Sequence, residues 1–155
     1  MLEGVADADN VGSAFRNAAA FGVGCVLLSP TTCDPLYRKA IRTSMGSVLE
    51  IPFARLDNWP ADLGMLKAKG FTLIALTPKD LAIDLPSCAK RQPRQRMAVL
   101  AGNEGNGLTA SAEAMADVCV RVPIRPAVDS LNLATATGIA LYYCANHPPS
   151  PIPNP

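Results

Sequence analysis

Three stretches of this 155-residue chain carry residue types and spacings suited to holding a ligand. The first is Asp9-Asn10-Val11-Gly12-Ser13-Ala14-Phe15-Arg16-Asn17-Ala18, where a strand gives way to a helix. Asn10 is placed to cap that helix through its side-chain oxygen. Arg16 follows a little under two turns later, so it can project near the loops where strand ends gather and where α/β sheets bind ligands. Taken alone, a capped helix with a solvated arginine is the commoner use of such residues. The second stretch is Leu100-Ala101-Gly102-Asn103-Glu104-Gly105-Asn106-Gly107-Leu108, a glycine-rich turn directly after an apolar strand. Gly102, Gly105 and Gly107 allow a backbone approach to a ligand that larger side chains would block. The turn lacks Gly-Lys-Ser/Thr, so it is not a P-loop, and its glycine order differs from the dinucleotide fingerprint. Glu104 adds negative charge and disfavours a polyphosphate. A plain strand-to-helix turn remains the alternative.

The third stretch runs from Val122-Pro123-Ile124 through Asp129-Ser130-Leu131-Asn132 into the final apolar segment. Ser130 or Asp129 can cap the last helix. That helix is apolar or small on nearly every face and should therefore be buried all round. A small domain achieves this most easily by packing the helix against a second subunit, so a homodimer is expected.

The elements that must position these residues read as alternating strands and helices, the pattern of a parallel sheet covered by helices. The class is α/β. Strands are expected near Met1–Val5, Gly24–Ser29, Leu49–Phe53, Thr72–Thr77, Met97–Ala101 and Val118–Val122, several apolar throughout as a doubly covered sheet demands. Helices are expected over Val11–Phe21, Pro35–Met45, Trp59–Lys69, Thr109–Ala116 and Ser130–Asn146, with Pro35 and Pro60 near helix starts. Residues 1–146 form one domain, and the proline-rich stretch 147–155 reads as a flexible tail.

Composition narrows the chemistry. Hydrophobic residues make up 49% and charged residues 17%, with 14 Lys+Arg against 13 Asp+Glu, so any nucleic-acid contact must come from a local patch. Two patches qualify. One is Lys90, Arg91, Arg94 and Arg96, extended in space if a neighbour such as Lys79 joins them. The other is Arg38, Lys39 and Arg42, with Arg38 and Arg42 on one helical face. A solvated charged face would read the same way. The apolar runs are far shorter than the ~20 residues of a membrane span. Glu3, Asp7 and Asp9 near the start do not suit a secretory signal, and the expected location is cytoplasmic. Five widely spaced cysteines never form Cys-x-x-Cys and read as reduced thiols. The only histidine, His147, lies among prolines, so histidine-base and His/Cys zinc chemistry lack their parts.

Together, Asn10-x-Gly12-x-x-x-Arg16, Gly102-Asn103-Glu104-x-x-Gly107-Leu108 and Pro123-Ile124 through Ser130-Leu131-Asn132 resemble the three motifs of the SpoU (TrmH-like) RNA 2′-O-ribose methyltransferases of the SPOUT superfamily. The resemblance implies a C-terminal deep trefoil knot, which the general rule of unknotted chains would have argued against. It implies S-adenosylmethionine held by Leu76, Thr77, Gly102, Asn103, Gly107, Val122, Ile124 and Leu131. It further implies a tRNA or rRNA substrate and a homodimer whose site combines both subunits. Arg16 would face the neighbouring chain's cofactor beside Asn10, Glu104, Ser130 and Asn132. A guanidinium stays protonated in proteins, so Arg16 is expected to clamp the phosphate next to the target ribose and stabilise alkoxide charge. That phosphate or a neighbouring side chain would take the proton. The cofactor's sulfonium supplies the electrophile, so no metal is expected. Many members carry an RNA-binding domain ahead of the catalytic one, and the expectation is that such a domain is missing from this sequence. Two other readings stand beside this one. One is a non-catalytic or incomplete relative that binds RNA or S-adenosylmethionine. The other is a Rossmann-type oxidoreductase, disfavoured by the missing glycine fingerprint.

Overall fold

The structure is a computed structural model and describes residues 1–79, 81–89, 96–125 and 127–146. Lys90, Arg91, Arg94 and the tail from His147 onward lie outside the described residues. The strands are β1 (Leu2–Glu3), β2 (Val26–Leu28), β3 (Phe53–Arg55), β4 (Phe71–Leu76), β5 (Ile83–Asp84), β6 (Arg96–Gly102) and β7 (Val118–Arg121). They form one sheet in the order β3-β2-β1-β6-β4-β7-β5. Every pairing is parallel. Their C-terminal ends therefore share one edge, the edge at which open α/β sheets bind ligands. β6 lies between β1 and β4, with Glu3 opposite Gly102 and Ala75 opposite Leu100. The expected α/β class with a mostly parallel sheet is what the chain adopts.

The helices are α1 (Ala8–Ala20), α2 (Arg38–Thr43), α3 (Leu63–Ala68), α4 (Leu85–Ala89), α5 (Ala110–Met115) and α6 (Leu133–Asn146). α1 packs Val11 and Phe15 against Leu28 and Val48 in one core cluster. Leu63 of α3 closes over Leu73 and Leu100. Ile74 and Val120 pack with Leu85 of α4 and Ala140 of α6. Burying a Leu, Val or Phe side chain contributes roughly 1.5–3 kcal/mol, so these contacts fix the helices on the sheet.

Several local expectations are corrected. The α1 cap is Asp7, in extended conformation, whose carboxylate accepts from the Asp9 N–H at 2.9 Å. Asn10 lies inside α1 and is buried, which frees its side chain for other work. Neither Ser130 nor Asp129 caps α6. Asn132 does, its Oδ1 accepting from Ala134 N at 2.9 Å and Thr135 N at 3.2 Å, so the helix begins at Leu133. Nor is α6 buried all round within one chain: only Leu133, Thr137 and Ala140 are, and Tyr142 is 47% exposed. Pro35 is buried in the turn before α2 rather than starting it. The expected strand at Leu49–Phe53 begins only at Phe53, because Met45 and Gly46 turn through positive φ into a 3-10 turn at Ser47–Leu49. Trp59 precedes α3, since Asn58 to Asp62 close a turn through Asp62 N–H to Asn58 O at 3.0 Å. β5 and α4 are too short to stand out in the sequence. Among the described residues no helix is long and apolar enough to cross a membrane.

Candidate active site at the strand ends

A cleft of about 380 Å³ opens at the C-terminal edge of the sheet. Leu76 and Thr77 reach it from the end of β4, Gly102, Asn103 and Gly107 from the turn after β6, and Val122, Ile124 and Leu131 from the segment after β7. Glu104 and Ser130 also line it. The glycine turn folds back on itself: Asn103 and Gly107 form an antiparallel bridge, with Gly107 N–H donating to Asn103 O at 2.8 Å. A Cβ on residue 102 would fall 2.2 Å from the Gly107 carbonyl carbon, so only glycine fits there. Gly107 has φ +68°. Asn103 holds the turn in two directions, its Oδ1 accepting from Gly105 N at 2.7 Å and its Nδ2 donating to Gly4 O at 2.9 Å.

Beside the cleft, the three sequence stretches meet in one polar cluster. Asn132 Nδ2 donates to Asn10 Oδ1 at 3.0 Å and to Glu104 Oε1 at 2.6 Å, which spends both amide hydrogens. The Leu133 N–H points at the same Glu104 oxygen at 3.4 Å. Since Asn132 Oδ1 caps α6, one side chain ties the start of α6 to α1 and to the glycine turn.

Arg16 stands apart. It is exposed, does not line its own chain's cleft and makes no ion pair among the described residues. Arg38 and Arg42 are likewise exposed on α2 with no ion pair among the described residues. α2 crosses α1, the helix that bears Arg16, at Gly12, where an added Cβ would come within 2.5 Å of Ala40 O. Other cations are engaged. Lys39 pairs with Asp9 at 2.8 Å, which lowers the Asp9 pKa and raises that of Lys39. Arg55 donates to the Ser29, Pro30 and Thr32 carbonyls. Lys79 pairs with Glu113 at the cleft wall.

Glu113, Lys79 and Asp129 are lining residues that the motif reading did not assign to the site. Asp129 was expected only as a cap, and Glu113 sits on a six-residue helix whose orientation no local pattern reveals. With Glu104 they give the lining, among the described residues, three carboxylates against one ammonium. Among the described residues no group of three or more His, Cys, Asp or Glu is arranged to hold a metal.

This arrangement has close counterparts. The family model described as the SpoU rRNA Methylase family matches residues 1–142. An uncharacterized tRNA/rRNA methyltransferase of Mycobacterium tuberculosis is 48% identical over 142 residues, covering 92% of this chain and 49% of that protein. The 23S rRNA (guanosine(2553)-2′-O)-methyltransferase of Bacillus subtilis is 30% identical over 145 residues, 92% of this chain and 56% of that one. An rRNA methyltransferase from Sinorhizobium meliloti, solved with AdoMet bound, superposes with a TM-score of 0.86 at 32% identity, over 94% of this chain and 54% of that chain. The chain thus spans about half the length of the curated relatives it matches. With its three motif stretches joined in one polar cluster beside the strand-end cleft, this chain belongs to the SpoU rRNA methylase family.

Proposed function

We propose that this chain is the catalytic part of an RNA methyltransferase that binds S-adenosylmethionine in the strand-end cleft and methylates a ribose 2′-hydroxyl of tRNA or rRNA. The carrying observation is that Asn132 joins Asn10 and Glu104 at the rim of a cleft lined by the glycine turn. The name of the Bacillus subtilis relative supports the 2′-hydroxyl as acceptor.

The residues present fit the cofactor. Gly102 and Gly107 leave the cleft floor as backbone, whose amides and carbonyls can meet the edge of an adenine. Leu76, Val122 and Ile124 offer apolar walls to a flat ring, and the volume suits a ligand of this size. Three carboxylates against one paired lysine favour a positively charged sulfonium and ammonium over a polyphosphate. Thr77, Asn103 and Leu131 complete the set that would hold it. When bound, S-adenosylmethionine supplies a methyl group activated by its positive sulfur.

The chain's own residues then position the acceptor. Arg16 clamps the phosphate beside the target ribose through its planar fork and stabilises charge developing on the 2′-oxygen. Its exposure and its absence from its own cleft support a place in the site of a second copy, and hence a homodimer. Asn10, Glu104, Ser130 and Asn132 complete that shared site. Arg38 and Arg42 contact flanking phosphates, with Arg91 and Arg94 as further contacts outside the described residues. A knotted C-terminal half accords with the strand order, since the segment after β7 returns to Glu104 in the turn after β6. Isothermal titration tests the cofactor assignment: S-adenosylhomocysteine should bind and NAD should not, and the reverse result would refute it.

A further inference from the structure

We propose that the buried Glu3 carboxylate is a positioning residue that holds the glycine turn in its ligand-binding shape and couples it to Trp59. The proposal rests on the cofactor reading above. Glu3 ends β1 directly opposite Gly102, the residue at which the turn leaves the sheet. It is 6% exposed, and no lysine or arginine pairs with it among the described residues. Its charge is met by neutral donors from two segments of the chain. Thr109, immediately after the turn, donates its N–H to Oε2 at 2.9 Å and its hydroxyl to Oε1 at 2.8 Å. The Trp59 indole N–H, from a segment ahead of α3, donates to Oε1 as well. The adjacent Gly4 carbonyl accepts from Asn103 at the other end of the turn. The end of β1 therefore clamps the turn at both ends, leaving only residues 104–108 between the clamps.

A carboxylate is needed because three donors converge and only a group with acceptors at both ends satisfies them. An amide cannot. If its oxygen faced Trp59 and the Thr109 hydroxyl, its NH₂ would oppose the Thr109 N–H; turned over, it would oppose the indole N–H. One clamp is lost either way, and a buried donor left unpaired is costly.

The chain's single tryptophan makes the coupling measurable. S-adenosylhomocysteine is titrated into the full chain, followed by Trp59 emission and by calorimetry. Wild type should bind with a change in emission. Glu3→Gln should bind about tenfold or more weakly, the range set by one unpaired buried donor, with a smaller emission change. Trp59→Phe should keep its calorimetric affinity within about threefold, because the Thr109 contacts remain. A second pair guards against misfolding of the Gln variant: Thr109→Val should weaken binding severalfold, whereas Thr109→Ser, which keeps the hydroxyl, should restore it. A folded Glu3→Gln protein that binds like wild type, or equal binding by the two Thr109 variants, overturns this proposal alone. Absence of binding by wild type overturns it together with the cofactor reading.

Discussion

The chemistry assigned to this chain turns on one arginine that the fold leaves without an ion pair among the described residues. If the planar fork of Arg16 holds a phosphate, a point charge cannot replace it. Arg16→Lys should lower methyl transfer about tenfold or more while leaving S-adenosylhomocysteine affinity unchanged. Equal transfer rates for the two proteins would show that the fork is not needed. A different residue contributes to acid stability. Burial alone would push the Asp117 carboxyl up, but the Lys67 ammonium at 2.8 Å and the Leu73 N–H at 2.8 Å outweigh it and hold its pKa below the ordinary 3.8. A carboxyl with a depressed folded pKa stabilises the fold above its unfolded value and loses that contribution as pH falls through the folded one. Urea unfolding should show stability falling below about pH 4 in wild type, with a flatter acid limb in Asp117→Asn. Identical acid limbs would contradict the assignment.

At the scale of elements, the site depends on helices held at close range by small residues. Gly12 lies where α2 crosses α1, and a Cβ there would meet Ala40 O at 2.5 Å and Thr43 Cβ at 2.9 Å. Gly12→Ala should cost about 1–3 kcal/mol of stability, read as a lower urea midpoint, because backbone must move. An unchanged midpoint would mean that the helices part freely. The alternation of strands and helices, and the glycine turn at Gly102, were legible because apolar runs and glycine clusters are local signals. The helix starts were not. Asp7 rather than Asn10 caps α1, and Asn132 rather than Ser130 caps α6. Several small polar residues stood near each boundary, and only the tertiary fold decides among them. Asn10 is recruited instead by Asn132, a partner 122 residues away. Glu3 was legible only as an acidic residue near the start, because its donors, Trp59 and Thr109, arrive from distant segments.

At the scale of the whole molecule, the account requires two copies. α6 keeps much of its apolar surface outside the core, and Arg16 lies away from the cleft of its own chain. If each site borrows its arginine, an Arg16→Ala chain mixed with a Gly102→Ala chain should regain activity that neither has alone. Each mixed dimer then holds one intact site, and no gain on mixing would indicate a site built from a single chain. The most direct test of the central claim follows the methyl group itself. Protein is incubated with RNA and labelled S-adenosylmethionine, and the labelled nucleotide is mapped after alkaline hydrolysis. Label on a ribose 2′-oxygen, in a dinucleotide resistant to alkali and absent with Arg16→Ala, is the predicted result; label on a base, or none at all, would contradict it.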